Sequence, residues 1–295
     1  AISWSPDSVR LASADKNGLI YIWNAKTGEQ MGGCLRGHKQ WINGLAWEPY
    51  HLNVECRRLA SASKDTSIRI WDVILGQCIH TLSGHTQSVS SIKWGGTGLI
   101  YTGSHDRMIK VWKADNGILC RTLSGHGHWV NTLTLSTEYI LRIGLYDPQN
   151  QQKLNGTSSE EIREKVQKRY EQIRLQNERL VSGSDDFTLF LWNPETGKKP
   201  ICRMTGHQQL INDVKFSPDG RLIANGPGKL TKYAGIDKRF DGQSLATSSL
   251  QLAHDLTPNR IASRPRIGVT CTDAWREEPL GFYVDGNRHV SKMPK

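Results

Sequence analysis

The sequence predicts an all-β fold, a propeller built from four-stranded antiparallel blades. Gly-His pairs recur along the chain, and their histidines are 47, 41 and 81 residues apart. A stretch ending in an aliphatic-Trp pair follows each of the first three pairs. A period of about 40–45 residues with such marks is typical of one propeller blade per repeat.

The aliphatic-Trp pairs close one strand in each repeat. They are Ile22-Trp23, Ile70-Trp71, Val111-Trp112 and Leu191-Trp192, and Asp72 follows Trp71. Gly-His at the start and Trp-Asp at the end is the WD40 signature. The sequence therefore predicts a WD40 β-propeller, with four legible blades and part of a fifth that begins at Ile211.

A hairpin precedes each of these tryptophans. In one repeat Leu59 to Ser63 forms a strand, Lys64-Asp65-Thr66 a polar turn, and Ser67 to Trp71 an alternating strand. Alternation with period two predicts strands with one buried face. The same pattern returns at residues 11–23, 100–112 and 180–192.

The 81-residue interval contains an insertion at residues 136–178, in which the sequence predicts a helix over about 159–176. Ser158 to Glu161 has the capping-box spacing. Apolar residues then follow at helical intervals, at Ile162, Val166, Tyr170 and Ile173. The helix either packs on the propeller rim or serves as a docking element for a partner.

Each blade supplies a histidine, a hydroxyl, an aspartate and a tryptophan. We interpret them as a buried structural network in which Asp holds the imidazole, the imidazole holds the hydroxyl, and the hydroxyl accepts from the indole. A Ser-His-Asp set also suggests a hydrolase, but no nucleophile elbow accompanies it and repetition favours architecture. The network residues are His38, Ser61, Asp65, Trp71, His85, Thr102, Asp106, Trp112, His126, Ser182, Asp186 and Trp192.

The segment after each Gly-His pair predicts a partner-binding face. A central aliphatic residue points into the core, so its two neighbours point toward the propeller face. Exposed tryptophan is typical of interaction hot spots, although Trp packing between blades is the alternative. The face residues are Trp41, Asn43, Ser88, Ser90, Trp129, Asn131, Leu210 and Asn212.

Composition narrows the class of protein. The 295 residues carry a net charge of +10, which favours acidic partners such as nucleic acid. The six cysteines stand singly and predict reduced thiols, with Cys78, Cys120 and Cys202 expected at apolar core positions. No metal-ligand spacing, membrane span or secretion signal is evident, so we expect no metal site and no membrane association.

Three segments go beyond the generic repeat, at residues 125–132, 179–192 and 203–208. They resemble the Notchless family over about residues 1–224. The resemblance implies an eight-bladed propeller preceded by a ubiquitin-like domain, acting in maturation of the large ribosomal subunit in the nucleus and nucleolus. It also implies engagement of the AAA ATPase midasin through the ubiquitin-like domain. These residues begin within the blades, so that contact is not carried over to them.

The sequence departs from the family pattern after Ala224. Residues 225–295 contain no Gly-His pair and no aliphatic-Trp-Asp, and they hold five of the eleven prolines. We interpret this stretch as a non-WD40 tail. A frame-shifted or mis-spliced continuation is the favoured explanation, and an authentic unrelated tail is the alternative.

These observations predict a non-catalytic scaffold without cofactor or small-molecule substrate. Its expected partner is the pre-ribosomal large-subunit particle, through ribosomal proteins and possibly rRNA. One alternative is a substrate receptor of a ubiquitin ligase, but such proteins tend to carry Arg two positions after Trp-Asp, whereas Asp72 is followed by Val73-Ile74. The other alternative is a Notch-pathway signalling adaptor, which would use the same face.

Overall fold

A computed structural model describes residues 1–143, 159–174, 177–217, 220, 223–224, 261–264 and 281–284. The chain divides into two compact units, Ala1–Gly226 and Pro227–Lys295. Each unit is described by itself.

The first unit consists of consecutive antiparallel sheets, which we number as blades 1 to 5. Blade 1 contains β1 (Ile2–Trp4), β2 (Arg10–Ala14) and β3 (Ile20–Asn24), and bridges from Gln30 and Leu35 extend its outer edge. Blade 2 contains β4 (Ile42–Trp47), β5 (Arg58–Ser63), β6 (Ile68–Asp72) and β7 (Gln77–Leu82). In both blades the strands pair in chain order from the inner strand outward.

Blades 3 and 4 repeat this arrangement. Blade 3 contains β8 (Val89–Trp94), β9 (Leu99–Ser104), β10 (Met108–Lys113) and β11 (Leu119–Ser124). Blade 4 contains β12 (Val130–Leu135), β13 (Leu180–Ser184), β14 (Leu189–Trp192) and β15 (Cys202–Met204). In blade 5, β16 (Lys215–Phe216) pairs with β17 (Ile223–Ala224).

The predicted hairpins share one register. Leu11 pairs with Trp23, Leu59 with Trp71, Ile100 with Trp112 and Leu180 with Trp192. Their turns also place a residue in the left-handed region at the same position, at Gly18, Thr66, Arg107 and Phe187. A non-glycine residue held there costs on the order of 1–3 kcal/mol, so the surrounding blade must impose this conformation.

Each hydrophobic core cluster joins a blade to the next one. One cluster contains Ile20 of blade 1 with Trp71 of blade 2, and another contains Ile70 with Trp112 of blade 3. Further clusters link blade 3 to blade 4 and blade 4 to blade 5. Such nearest-neighbour packing of four-stranded sheets is the WD40 propeller architecture.

Two helices lie in the insertion of blade 4. Helix α1 (Glu138–Ile143) was not predicted, and α2 (Ser159–Arg174) falls within the predicted helix. Residues 144–158 and 175–176 lie outside the described part of the chain. Val166 of α2 packs with Tyr50 and Cys56 of the β4–β5 connection, so one face of the helix rests on blade 2.

The expectation that three cysteines occupy core positions is wrong for two of them. Cys120 and Cys202 are exposed, and Cys78 is only partly buried. All three lie on the outermost strand of a blade, where one strand edge faces solvent. The buried thiol among those described is Cys56, and burial raises its pKa to about 12.

The second unit contains two described strands, β18 (Ile261–Arg264) and β19 (Gly281–Val284), which pair antiparallel. The rest of the predicted tail lies outside the described residues. Within the part of the chain that the structure describes, neither helix has the length and apolarity to cross a bilayer.

Candidate functional site

The structure brings the four network side chains of blade 2 together. The Nδ1 atom of His38 lies 2.9 Å from Asp65 Oδ2, and its Nε2 lies 2.8 Å from Ser61 Oγ. Trp71 Nε1 donates to the same Ser61 oxygen at 2.8 Å. The chain therefore ties the loop that enters the blade to three of its strands and turns.

Blades 3 and 4 contain the same arrangement. His85 lies 2.6 Å from Asp106 and 2.8 Å from Thr102, which accepts from Trp112 at 2.9 Å. His126 lies 2.9 Å from Asp186 and 2.7 Å from Ser182, which accepts from Trp192 at 2.9 Å. In blade 1, Trp23 donates to Ser13 at 2.7 Å.

The electrostatics of the network favour a neutral imidazole beside a carboxylate. Burial lowers the pKa of His38 and His126, against the opposing effect of their aspartates. Burial alone would raise the pKa of Asp65, but hydrogen bonds from Ser67, the Lys39 amide and His38 outweigh it and lower that pKa to about 2. The same balance lowers the pKa of Asp186 to about 2.

The geometry argues against nucleophilic catalysis by these residues. Ser61, Thr102 and Ser182 are 0% exposed, so no substrate atom reaches their hydroxyls. Each hydroxyl is also occupied by an indole donor and an imidazole acceptor. Among the described residues, no group of three or more His, Cys, Asp or Glu could hold a metal ion.

The predicted partner-binding face carries two exposed indoles and one exposed leucine. Trp41 is 55% exposed, Trp129 42% and Leu210 47%, while the aliphatic residue that follows each of them is buried. Lys64 Nζ lies 5.4 Å from the ring centre of Trp41. The Trp129 ring stacks on His105 at 4.3 Å between centres and 8° between planes.

Some of the predicted face residues also join adjacent blades. Asn43 Nδ2 donates to Val89 O at 2.8 Å, Ser90 Oγ donates to Val130 O, and Asn131 Nδ2 donates to Ile211 O at 3.1 Å. All three follow the buried aliphatic, where the inner strand has a bulge. Asn43 also donates to Ser88 Oγ at 3.1 Å, and Asn212 is exposed.

Sequence reasoning missed a buried carboxylate behind the insertion. Glu178 is 0% exposed, accepts from the Gly96 amide at 3.2 Å and from Tyr101 Oη at 3.1 Å, and receives the Thr137 hydroxyl. Burial raises the pKa of this carboxyl. Its partners lie up to 82 positions away in the sequence, so no local pattern indicates it.

Comparison with known proteins agrees with this architecture. Residues 1–24, 30–72 and 76–113 match the WD domain, G-beta repeat. Together with the four-stranded blades and the repeated His-Asp-hydroxyl-Trp network, this match defines the protein as a WD40-repeat β-propeller protein.

Curated relatives define the family. The chain is 51% identical over 200 residues to "Protein Notchless" of Drosophila melanogaster, which covers 67% of this chain and 41% of that protein. It is 46% identical over 248 residues to "Ribosome assembly protein 4" of Saccharomyces cerevisiae, covering 81% and 48% respectively. The chain belongs to the Notchless family and spans less than half the length of these relatives.

A second likeness lies at the other end of the chain. Residues 199–288 match Methylpurine-DNA glycosylase (MPG). A "Putative 3-methyladenine DNA glycosylase" of Lactiplantibacillus plantarum is 43% identical over 75 residues, which are 25% of this chain and 36% of that protein. Two unrelated families therefore meet in one chain.

Proposed function

We propose that the blades act as a non-catalytic scaffold in assembly of the large ribosomal subunit, in the nucleus and nucleolus. The observation that carries the proposal is the 46% identity to a protein named for ribosome assembly, over 81% of this chain. The proposal assigns no midasin contact to these blades. The partner is a pre-ribosomal particle, contacted through its proteins or its RNA.

The exposed indoles on the loop face support this role. Trp41 and Trp129 contribute little to the blade cores, because about half of each side chain faces solvent. Large aromatic side chains at the centre of an interface contribute much of its binding energy. A conserved chemistry of buried networks holds the loops that carry these indoles, so the face is rigid before a partner binds.

We expect the double variant Trp41→Ala/Trp129→Ala to lose most of its co-sedimentation with large-subunit precursors. The full chain would be expressed with a tag in S. cerevisiae and followed through sucrose gradients. The matched control is Ile74→Ala/Ile118→Ala, since these residues are 56% and 58% exposed in turns at the opposite end of the blades.

Both double variants should keep the circular-dichroism melting curve of the parent, because all four side chains are exposed. Equal co-sedimentation of the tryptophan variant and the parent would overturn the proposal. Equal loss in the control variant would show that the effect is not specific to this face.

We also propose that the glycosylase-like segment does not make the chain an enzyme. The likeness covers only 36% of the L. plantarum protein, so most of a glycosylase has no counterpart in the match. A frame-shifted stretch would carry no likeness to an unrelated family, which favours an in-frame junction. Release of alkylated purines from DNA by the full chain would contradict the non-enzymatic assignment.

A further inference from the structure

The loops of the partner-binding face carry five exposed cations. None of them forms an ion pair with any residue in the described parts of the chain. They come from the loops of blades 1 to 3 and the connections between them. These residues are Lys16, Arg36, Lys39, Lys64 and Arg107.

The acids of the same loops are all engaged. Asp65, Asp106 and Asp186 each hold a network histidine. Asp15 accepts from the backbone amides of its own turn, and Asp185 accepts from Asn131 at 2.5 Å. The carboxylates are therefore consumed by the fold, while the cations remain free for a partner.

Aromatic side chains interleave with these cations. Lys64 lies over Trp41, and His105 stacks on Trp129, which also contacts His128 at 5.2 Å between ring centres. Lys64 is also close to His105: burial lowers the pKa of that imidazole, and the charges of His128 and Lys64 lower it further. The groups thus form one row across blades 2 to 4.

We propose that this aromatic–basic row, made of Trp41, Lys64, His105, Arg107 and Trp129, binds unpaired bases of single-stranded or looped RNA. Bases stack on aromatic rings whatever their sequence, and Lys and Arg hold the phosphates. The near-parallel rings of His105 and Trp129 already have the geometry of a base stack. The inference rests on the proposed function, because it names the partner class for the same face.

RNA accounts for the row better than a protein partner does. An apolar protein surface would match the indoles but would leave the free cations without counter-charges. Duplex RNA would meet the cations, but its stacked bases would not reach the indoles. Unpaired RNA meets both features, with bases on the rings and phosphates on the cations.

The experiment measures binding of the purified full chain to a fluorescent single-stranded oligouridylate, by anisotropy, across a series of salt concentrations. Trp129→Leu keeps apolar bulk but removes the stacking surface, so its affinity should fall at least about fivefold, as for a lost base–aromatic stack. Trp129→Phe should retain most of the affinity. Lys64→Gln should reduce the salt slope by about 0.7, the value for one phosphate contact of a single strand.

Ile118→Ala is the control and should bind like the parent, and circular dichroism should show the same fold for every variant. Binding by Trp129→Leu that equals the parent, or equal affinity for an RNA duplex of the same length, would overturn the inference. So would equal affinity for polyglutamate, which would assign the face to an acidic protein. Particle association that survives while RNA binding is absent would leave the proposed function standing and remove only the RNA assignment.

Discussion

At the scale of single residues, Asp65 shows how one side chain stabilises a blade. Its carboxylate accepts from His38 and the Lys39 amide at 2.9 Å each, and from Ser67 at 2.6 Å. Removing it leaves a buried imidazole N–H without an acceptor. An unsatisfied buried donor of this kind costs about 1–3 kcal/mol.

We therefore expect Asp65→Ala to lower the free energy of unfolding by about 1–3 kcal/mol at neutral pH, in urea denaturation of the full chain. The control is Asp115→Ala, because that carboxylate is 74% exposed and 3.6 Å from Arg58. Unchanged stability of Asp65→Ala would remove the carboxylate from any structural role.

The pH dependence of this contribution follows from the sign of the pKa shift. The pKa of Asp65 falls from 3.8 to about 2 on folding, so the unfolded state binds a proton first as the solution is acidified. The stabilisation is complete above 3.8 and is lost as the pH falls through about 2. The difference between the parent and Asp65→Ala should therefore shrink over that interval.

Residue-level prediction from sequence was possible where a pattern repeats and not where contacts are distant. The His38, His85 and His126 networks repeat at fixed offsets, and the structure places their members in hydrogen-bond contact. The inter-blade donation by Asn131 spans 80 residues. No local signal shows that a bulge turns this side chain toward the next blade.

At the scale of secondary structure, strands were predictable because their apolar alternation is local. Helix α1 was not, because its residues include the strand-favouring Tyr139 and Ile140. Glu138 at its start is held by Lys93 Nζ at 2.5 Å and by the Thr134 hydroxyl at 2.7 Å. Contact with blade 3 thus overrides the local propensity.

Helix α2 depends on a close approach that a glycine permits. The ring of Tyr170 stacks on His51 at 4.7 Å between centres. A Cβ added at Gly96 would overlap the Tyr170 ring, and the backbone of Gly96 also donates to Glu178. Blade 3 therefore has to offer its bare backbone at this point for the helix to dock.

We expect Gly96→Ala to displace α2 while leaving the blades folded. Hydrogen–deuterium exchange should rise over the helix, Ser159–Arg174, and stay unchanged in β5 and β6. Gly33→Ala is the control, since nothing lies within 4 Å of a Cβ at that position. Unaltered protection of α2 in Gly96→Ala would show that the helix is held by other contacts.

At the scale of the whole molecule, each inner-strand tryptophan depends on the blade before it. Trp47 is 6% exposed and donates to Ser3 O of blade 1 at 3.1 Å, and Trp94 is 4% exposed. Trp4 occupies the corresponding place in blade 1 but is 54% exposed, and Ile2 beside it is 73% exposed. Blade packing was predictable from the repeat, whereas the glycosylase likeness was not, because residues 225–295 carry no repeat pattern.

The exposed edge of blade 1 predicts self-association of this 295-residue chain. Strand β1 presents apolar side chains of the kind that neighbouring blades bury, and uncovered strand faces of this type drive aggregation. Trp4→Lys should raise the monomer fraction in sedimentation velocity, because burying a charged side chain against a second copy is unfavourable. Ile118→Lys is the matched control, since Ile118 is 58% exposed in the turn before β11 and should leave the distribution unchanged. A parent chain that sediments as a monomer at the highest concentration tested would show that this edge is not adhesive. Equal gains from both variants would assign the effect to added charge and not to Trp4.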